Sequence, residues 1–74
     1  MDTASATIYT DENLDHGLRA QIVEQLSATA GVITCGLHVE KRHILVIEYH
    51  ANEVTGHDLL QTVLGADSHA KMVG

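Results

Sequence analysis

The sequence predicts a single α+β domain whose elements follow the order βαββαβ, with two helices on one face of a four-stranded antiparallel sheet. Three observations indicate this fold class. Apolar residues recur at helical spacing in two separate segments, and strand-like segments flank each of them. The two middle strand-like segments are joined by a polar link too short to hold a helix. The 74 residues leave room for one domain only, covering positions 1–74.

A strand and an amphipathic helix form the first part of the chain. Thr3–Thr10 is rich in β-branched side chains, which is typical of a short strand. Beyond it, apolar residues recur at the spacing of one helix face, at Leu14, Leu18, Ile22 and Leu26. Gly31 is expected to end this helix, because glycine is the commonest residue just past a helix C-terminus.

The segment TDENLDHGL, residues 10–18, joins the first strand to the helix and carries three carboxylates and one histidine. Asp11, Asn13 or Asp15 could each accept the free N–H groups of the first helical turn. Carboxylates are also stabilised at the positive end of a helix dipole. The segment is therefore interpreted first as a capped helix start.

The middle of the chain predicts a hairpin. Val32–Glu40 alternates in polarity, and one of its faces carries Cys35, Leu37 and Val39. After the link Glu40–Arg42, the segment His43–His50 is the next strand. The expected order across the sheet is 4-1-3-2, with the first and third strands at the centre.

A second helix and a last strand complete the ferredoxin-like βαββαβ pattern. Thr55 and Asp58 have the spacing of a capping box, with Thr55 as the N-cap. Gly65 ends the helix, and Ser68–Val73 is the expected last strand. The buried stripe of the helix consists of Leu59, Leu60, Val63 and Leu64.

Composition excludes several classes of function. The formal charge of −6, from 10 acidic and 4 basic residues, opposes binding to nucleic acid and to anionic membrane surfaces. No apolar run approaches the roughly 18 residues of a membrane span. A single cysteine favours a reducing compartment, so a cytoplasmic location is expected. No phosphate-binding, nucleophile-elbow or zinc-protease motif is present, and an enzyme is not expected.

The segment from Gly31 to Val73 resembles the second two-thirds of a heavy-metal-associated (HMA) domain. Gly31 and Val32 open the second strand, and Glu48–Ala51 stands where those domains carry Tyr-Asp-Pro. The resemblance implies their ferredoxin-like fold. HMA domains hold soft metals through a Cys-x-x-Cys between the first strand and the first helix. Here those places fall near Asp15 and Leu18, so the resemblance carries no thiol metal site to this chain.

One end of the expected fold gathers histidines and carboxylates from three loops. His16, His43 and His69, with Asp15, are the hypothesised ligands of a divalent ion such as Zn²⁺, Ni²⁺ or Cu²⁺. The competing interpretation is that they are solvated polar loop residues. No metal or other cofactor is firmly implied.

The third strand contains the run Ile44–Ile47, which is apolar on both faces although the helices cover only one. A protein interface is therefore predicted on the open face, formed by Ile8, His38, Ile44 and Val46, with Tyr9 as the alternative to Ile8. Cys35 is interpreted as a small buried hydrophobe. The function expected is a protein-interaction or regulatory module acting on a protein partner or a second copy. The alternative is metal handling through histidine and carboxylate ligands.

Overall fold

The computed structural model describes residues 3–73 and contains four strands and two helices. In chain order these are β1 (Thr3–Tyr9), α1 (His16–Ser27), β2 (Val32–Leu37), β3 (Ile44–His50), α2 (Gly56–Leu64) and β4 (Lys71–Val73). The sheet order is β2-β3-β1-β4, and all pairings are antiparallel. The predicted fold class and strand order are both confirmed.

The core lies between the helices and one face of the sheet. Ile8, Leu45 and Ile47 are fully buried, and Ile8 pairs directly with Leu45 across β1 and β3. Since side chains alternate between the faces of a strand, these residues share one face. The helices cover that face with Ile22, Leu26, Leu59 and Val63, each at most 1% exposed. Within residues 3–73, no helix lies on the opposite face of the sheet.

Asp15 is the N-cap of α1, and its carboxylate accepts the N–H groups of Gly17 and Leu18. The helix starts two residues after the predicted first apolar position, Leu14, because the loop ahead of it is closed by a hydrogen bond from the Leu14 N–H to the Asp11 carbonyl. The prediction that one of three residues caps this helix is confirmed for Asp15.

Gly31 lies in the turn that follows α1 and has a φ of +94°. A Cβ at this position would stand 2.9 Å from the side chains of Glu53 and Val54. Both the left-handed backbone and the close approach require glycine here.

Helix α2 has the predicted capping box. The Thr55 hydroxyl accepts the Asp58 N–H at 3.1 Å, and the Asp58 carboxylate accepts the Thr55 N–H at 3.3 Å. Leu59 and Val63 form its buried face, while Leu60 and Leu64 are only half-buried.

The end of β2 differs from the prediction. The strand ends at Leu37 rather than Glu40, and Val39 is 90% exposed instead of lying on the apolar face. The cause is the His38 side chain, whose Nδ1 accepts the N–H groups of Glu40 and Lys41 at 3.1 and 3.2 Å and so turns the chain. Within residues 3–73, neither helix has the length and apolar run needed to cross a membrane.

Candidate functional site

The open face of the sheet carries a row of small and β-branched residues that crosses all four strands. Gly36 pairs with Val46, Val46 with Thr7, and Thr7 with Val73. Directly paired residues lie on the same face of a sheet. Val46 is 40% exposed and Val73 is 43% exposed. We call these four residues the sheet-face row.

Only part of the predicted interface lies on this exposed surface. Val46 does, and His38 is exposed in the β2–β3 turn. Ile44 is on the open side but only 6% exposed, and it pairs with Tyr9, whose ring meets His43 edge-on at 6.0 Å. Ile44 is therefore too deeply buried to contact a partner.

Ile8 does not belong to the open face. It is fully buried on the helix side, because its cross-strand partner is Leu45, at the centre of the core. Tyr9, the alternative to Ile8, is the open-face residue. Sequence analysis missed Thr7 and Val73 as members of the row. Alternation within each strand indicated which face Thr7 and Val73 occupy. Their alignment with Val46 depends on the pairing register between strands, which only the folded sheet defines.

The corner between β1 and α1 is held by a buried carboxylate. Asp67, 5% exposed, accepts the Asp11 N–H at 2.8 Å and the His69 N–H at 3.0 Å. Thr10 donates both its N–H and its hydroxyl to the His43 carbonyl, at 2.8 and 2.7 Å. Three loops that are distant in sequence are thus joined at one end of the sheet.

Arg19 lies beneath this corner and is only 5% exposed. Its Nη2 donates to the Asp11 carbonyl at 3.1 Å. Sequence analysis did not single out Arg19, because a charged residue on an amphipathic helix is ordinarily assigned to the solvent face. The signal was its spacing, since Arg19, Ile22 and Leu26 follow one another at the interval of a single buried stripe.

The structure does not assemble the hypothesised metal ligands into one site. His43 Nε2 lies 3.7 Å from Glu12 Oε1, and His69 Nδ1 lies 3.6 Å from Asp11 Oδ2. Among residues 3–73, no group of three or more His, Cys, Asp or Glu side chains is arranged to hold a metal ion.

Two of the four hypothesised ligands lie at the start of α1, and the carboxylate of one is already engaged. Asp15 accepts N–H groups of the first helical turn, and His16 is an exposed residue of that turn. Helix capping therefore uses the one carboxylate of the hypothesised ligand set.

Cys35 lies on the helix-facing side of β2, opposite Ile47, and is half-buried. Burial raises the pKa of its thiol to about 11. The thiolate is the form that attacks electrophiles and binds metals, so the thiol is unreactive near neutral pH. This agrees with the interpretation of Cys35 as a small hydrophobe.

Alkylation of the folded protein by iodoacetamide is expected to be slow at pH 8 and to accelerate towards pH 11, because the rate follows the thiolate fraction. In urea the same thiol should titrate near the ordinary cysteine value of about 8.5. The raised pKa also means that stability is lost as pH rises from about 8.5 through 11, since the unfolded chain loses the proton first. A folded-state midpoint near 8.5 would show that Cys35 is accessible to water.

Comparison with known proteins supports the fold. No protein-family model matches the chain, and no curated protein sequence matches it significantly. Among solved structures, it is similar to oxidized MerP from Ralstonia metallidurans CH34, with a TM-score of 0.74 at 13% sequence identity. The alignment covers 96% of this chain and 94% of that one. At this identity the likeness shows the fold alone, which is the ferredoxin-like βαββαβ fold.

Proposed function

We propose that this chain is an HMA-like domain without a thiol metal site, acting as a non-enzymatic protein-interaction or regulatory module through the open face of its sheet. The observation that carries this proposal is the sheet-face row, with Val46 and Val73 both exposed. An antiparallel sheet that faces water ordinarily shows polar residues on its open side. Val46 and Val73 lie on either side of Thr7 in the row, and an exposed apolar patch is typical of a surface that contacts another protein.

The surroundings of the row also suit an interface. On one side lie Thr34, Glu48 and Ser5, paired across β2, β3 and β1. On the other side lie Ile44, Tyr9 and Lys71, paired across β3, β1 and β4. The row is thus bordered on one side by polar residues, and a polar border is common at the margin of a protein interface. Four strands about 4.8 Å apart present a narrow surface, which suits a transient contact better than a permanent one.

Metal handling, the alternative role, has weaker support in the geometry. Among the described residues, His43 lies near Glu12, and His69 lies near both Asp11 and Asp67, but no group of three or more such side chains is arranged to hold a metal ion. The only thiol, Cys35, is kept protonated by burial. A cytoplasmic setting is part of the proposal, since a reducing compartment suits a chain with one free cysteine.

Substituting Val46→Glu is expected to abolish capture of a protein partner from lysate, because it places an unpaired carboxylate at the centre of the sheet-face row. A loss of at least about tenfold in bound partner is expected for a central interface residue. Gln21→Glu is the matched control, since it adds the same charge on the exposed side of α1. Equal capture by wild type and Val46→Glu, or equal loss in both variants, would contradict the proposal.

A further inference from the structure

The open face of the sheet carries little charge, although the chain as a whole is acidic. The sheet-face row and the two rows beside it contain one acid, Glu48, and one base, Lys71. The other acids of the described residues lie on the helices and in the connecting segments. The chain has a formal charge of −6, so two copies repel each other least when they meet through this nearly neutral face.

Glu48 and Lys71 lie on opposite sides of Thr7, which is the residue that β1 contributes to the sheet-face row. Glu48 belongs to β3 and pairs with Ser5, two residues before Thr7. Lys71 belongs to β4 and pairs with Tyr9, two residues after Thr7. Each charge is therefore displaced from Thr7 by one strand and two residues, in opposite directions.

The two charges cannot satisfy each other within one copy. Two strand spacings of about 4.8 Å and four residues of about 3.3 Å separate them, which amounts to roughly 16 Å. Both side chains belong to exposed residues, and within residues 3–73 neither lies within 4.0 Å of an oppositely charged group. The Glu48 carboxylate accepts a hydrogen bond from the Thr34 hydroxyl at 3.3 Å. Each charge is therefore available to a partner molecule.

We propose that the open face packs against the open face of a second copy of this chain, about a two-fold axis that passes by Thr7 in the plane between the two sheets. The axis is perpendicular to the line from Glu48 to Lys71, so Glu48 of each copy lies opposite Lys71 of the other. Val46 and Val73, which pair with Thr7 from either side, lie within the contact. This inference rests on the function proposed above and names one partner of the same surface.

The symmetry of the charges is the reason for choosing a second copy. An interface about a two-fold axis must be complementary to itself, so an acid on one side of its centre requires a base on the other side. Glu48 and Lys71 meet this requirement about Thr7. A different protein could bind the face without any such relation between the two charges.

The surface is large enough for a weak dimer only. Four strands about 4.8 Å apart and at most seven residues long offer roughly 400 Å² on each copy, or about 800 Å² in total. Stable complexes bury about 1,200–2,000 Å². The dimer is therefore expected to dissociate in the high micromolar to millimolar range. Salt should weaken it further, because its charged pairs lie at the solvated margin of the contact.

Exchanging the two charges tests the pairing. Glu48→Lys alone places a lysine opposite Lys71 of the second copy, and Lys71→Glu alone places a glutamate opposite Glu48. Each single variant is expected to self-associate at least about tenfold more weakly than the wild type, because like charges then face each other. The double variant Glu48→Lys/Lys71→Glu restores opposite charges and should dimerise as the wild type does. An equimolar mixture of the two single variants should also dimerise, because every charged contact between the two different chains joins a lysine to a glutamate.

Sedimentation equilibrium at concentrations up to the millimolar range measures these differences. Glu24→Lys is the matched control for Glu48→Lys, since it makes the same charge change on the exposed side of α1 and should leave the dimer intact. Circular dichroism checks that all variants fold. A wild type that stays monomeric, a dimer that persists in Val46→Glu, or single variants whose mixture stays monomeric overturns the inference. If Val46→Glu nevertheless loses capture of a protein from lysate, the function proposed for the open face stands and only the second copy is excluded.

Discussion

Replacing Leu45 with Ala is expected to lower the free energy of unfolding by about 2–5 kcal/mol. Leu45 is fully buried and pairs with Ile8 on one side and Leu37 on the other. The cavity left behind cannot close easily, because hydrogen bonds hold both flanking strands in place. A chain of 74 residues has roughly 4–11 kcal/mol of total stability, so the variant loses a large share of it. Urea denaturation followed by circular dichroism measures the change.

The neighbouring residue provides a matched control. Val46→Ala removes two methyl groups from the same strand, but from the open face, where the side chain is 40% exposed. The expected loss is less than about 1 kcal/mol. Similar losses for Leu45→Ala and Val46→Ala in the isolated chain would contradict a core that lies on one side of the sheet.

Replacing Asp67 with Ala is expected to lower the free energy of unfolding by about 2–3 kcal/mol, because bonds from backbone N–H groups to a buried carboxylate are strong. The substitution leaves the N–H groups of Asp11 and His69 without their acceptor. Urea denaturation gives the magnitude. Hydrogen exchange at the Asp11 amide should become faster, which reports loosening of this corner specifically.

Glu12→Ala is the control for the Asp67 variant. Glu12 lies in the same corner, but its side chain is 77% exposed, and its only contact of this kind places Oε1 3.7 Å from His43 Nε2. Exposed pairs of this kind contribute about 0–1 kcal/mol. If the two variants are equally stable, the corner is held by something other than the Asp67 carboxylate.

The candidate interface shows how far pattern reasoning extends. The unbroken apolar run in β3 correctly indicated that a large apolar residue lies on the open side, and Val46 is that residue. The same argument failed for Ile44, because Tyr9 of the neighbouring strand pairs with it and the residue is covered. It also failed for Ile8, since the face of an isolated strand is ambiguous until its partner residue is known.

The hypothesised metal site shows a different limit. The sequence correctly predicted that three loops lie at one end of the sheet. There His43 Nε2 lies 3.7 Å from Glu12 Oε1, and His69 Nδ1 lies 3.6 Å from Asp11 Oδ2. It could not show that Asp15 is engaged in capping α1 and that Asp67 is buried in hydrogen bonds to the backbone. Ligand geometry depends on distances of a few tenths of an ångström, and sequence spacing does not define those distances across separate loops.

By itself, the sequence determined the order of the elements, the capping box of α2 and the burial of one sheet face. These features depend on contacts between residues close in sequence and on the 3.6-residue and 2-residue periods of helix and strand. Both can be read from the order of the residues. Tertiary structure alone decided the register that aligns the sheet-face row, the burial of Arg19 and the early end of β2. Each of these depends on contacts between residues that are distant in sequence, and only the packed chain determines those contacts.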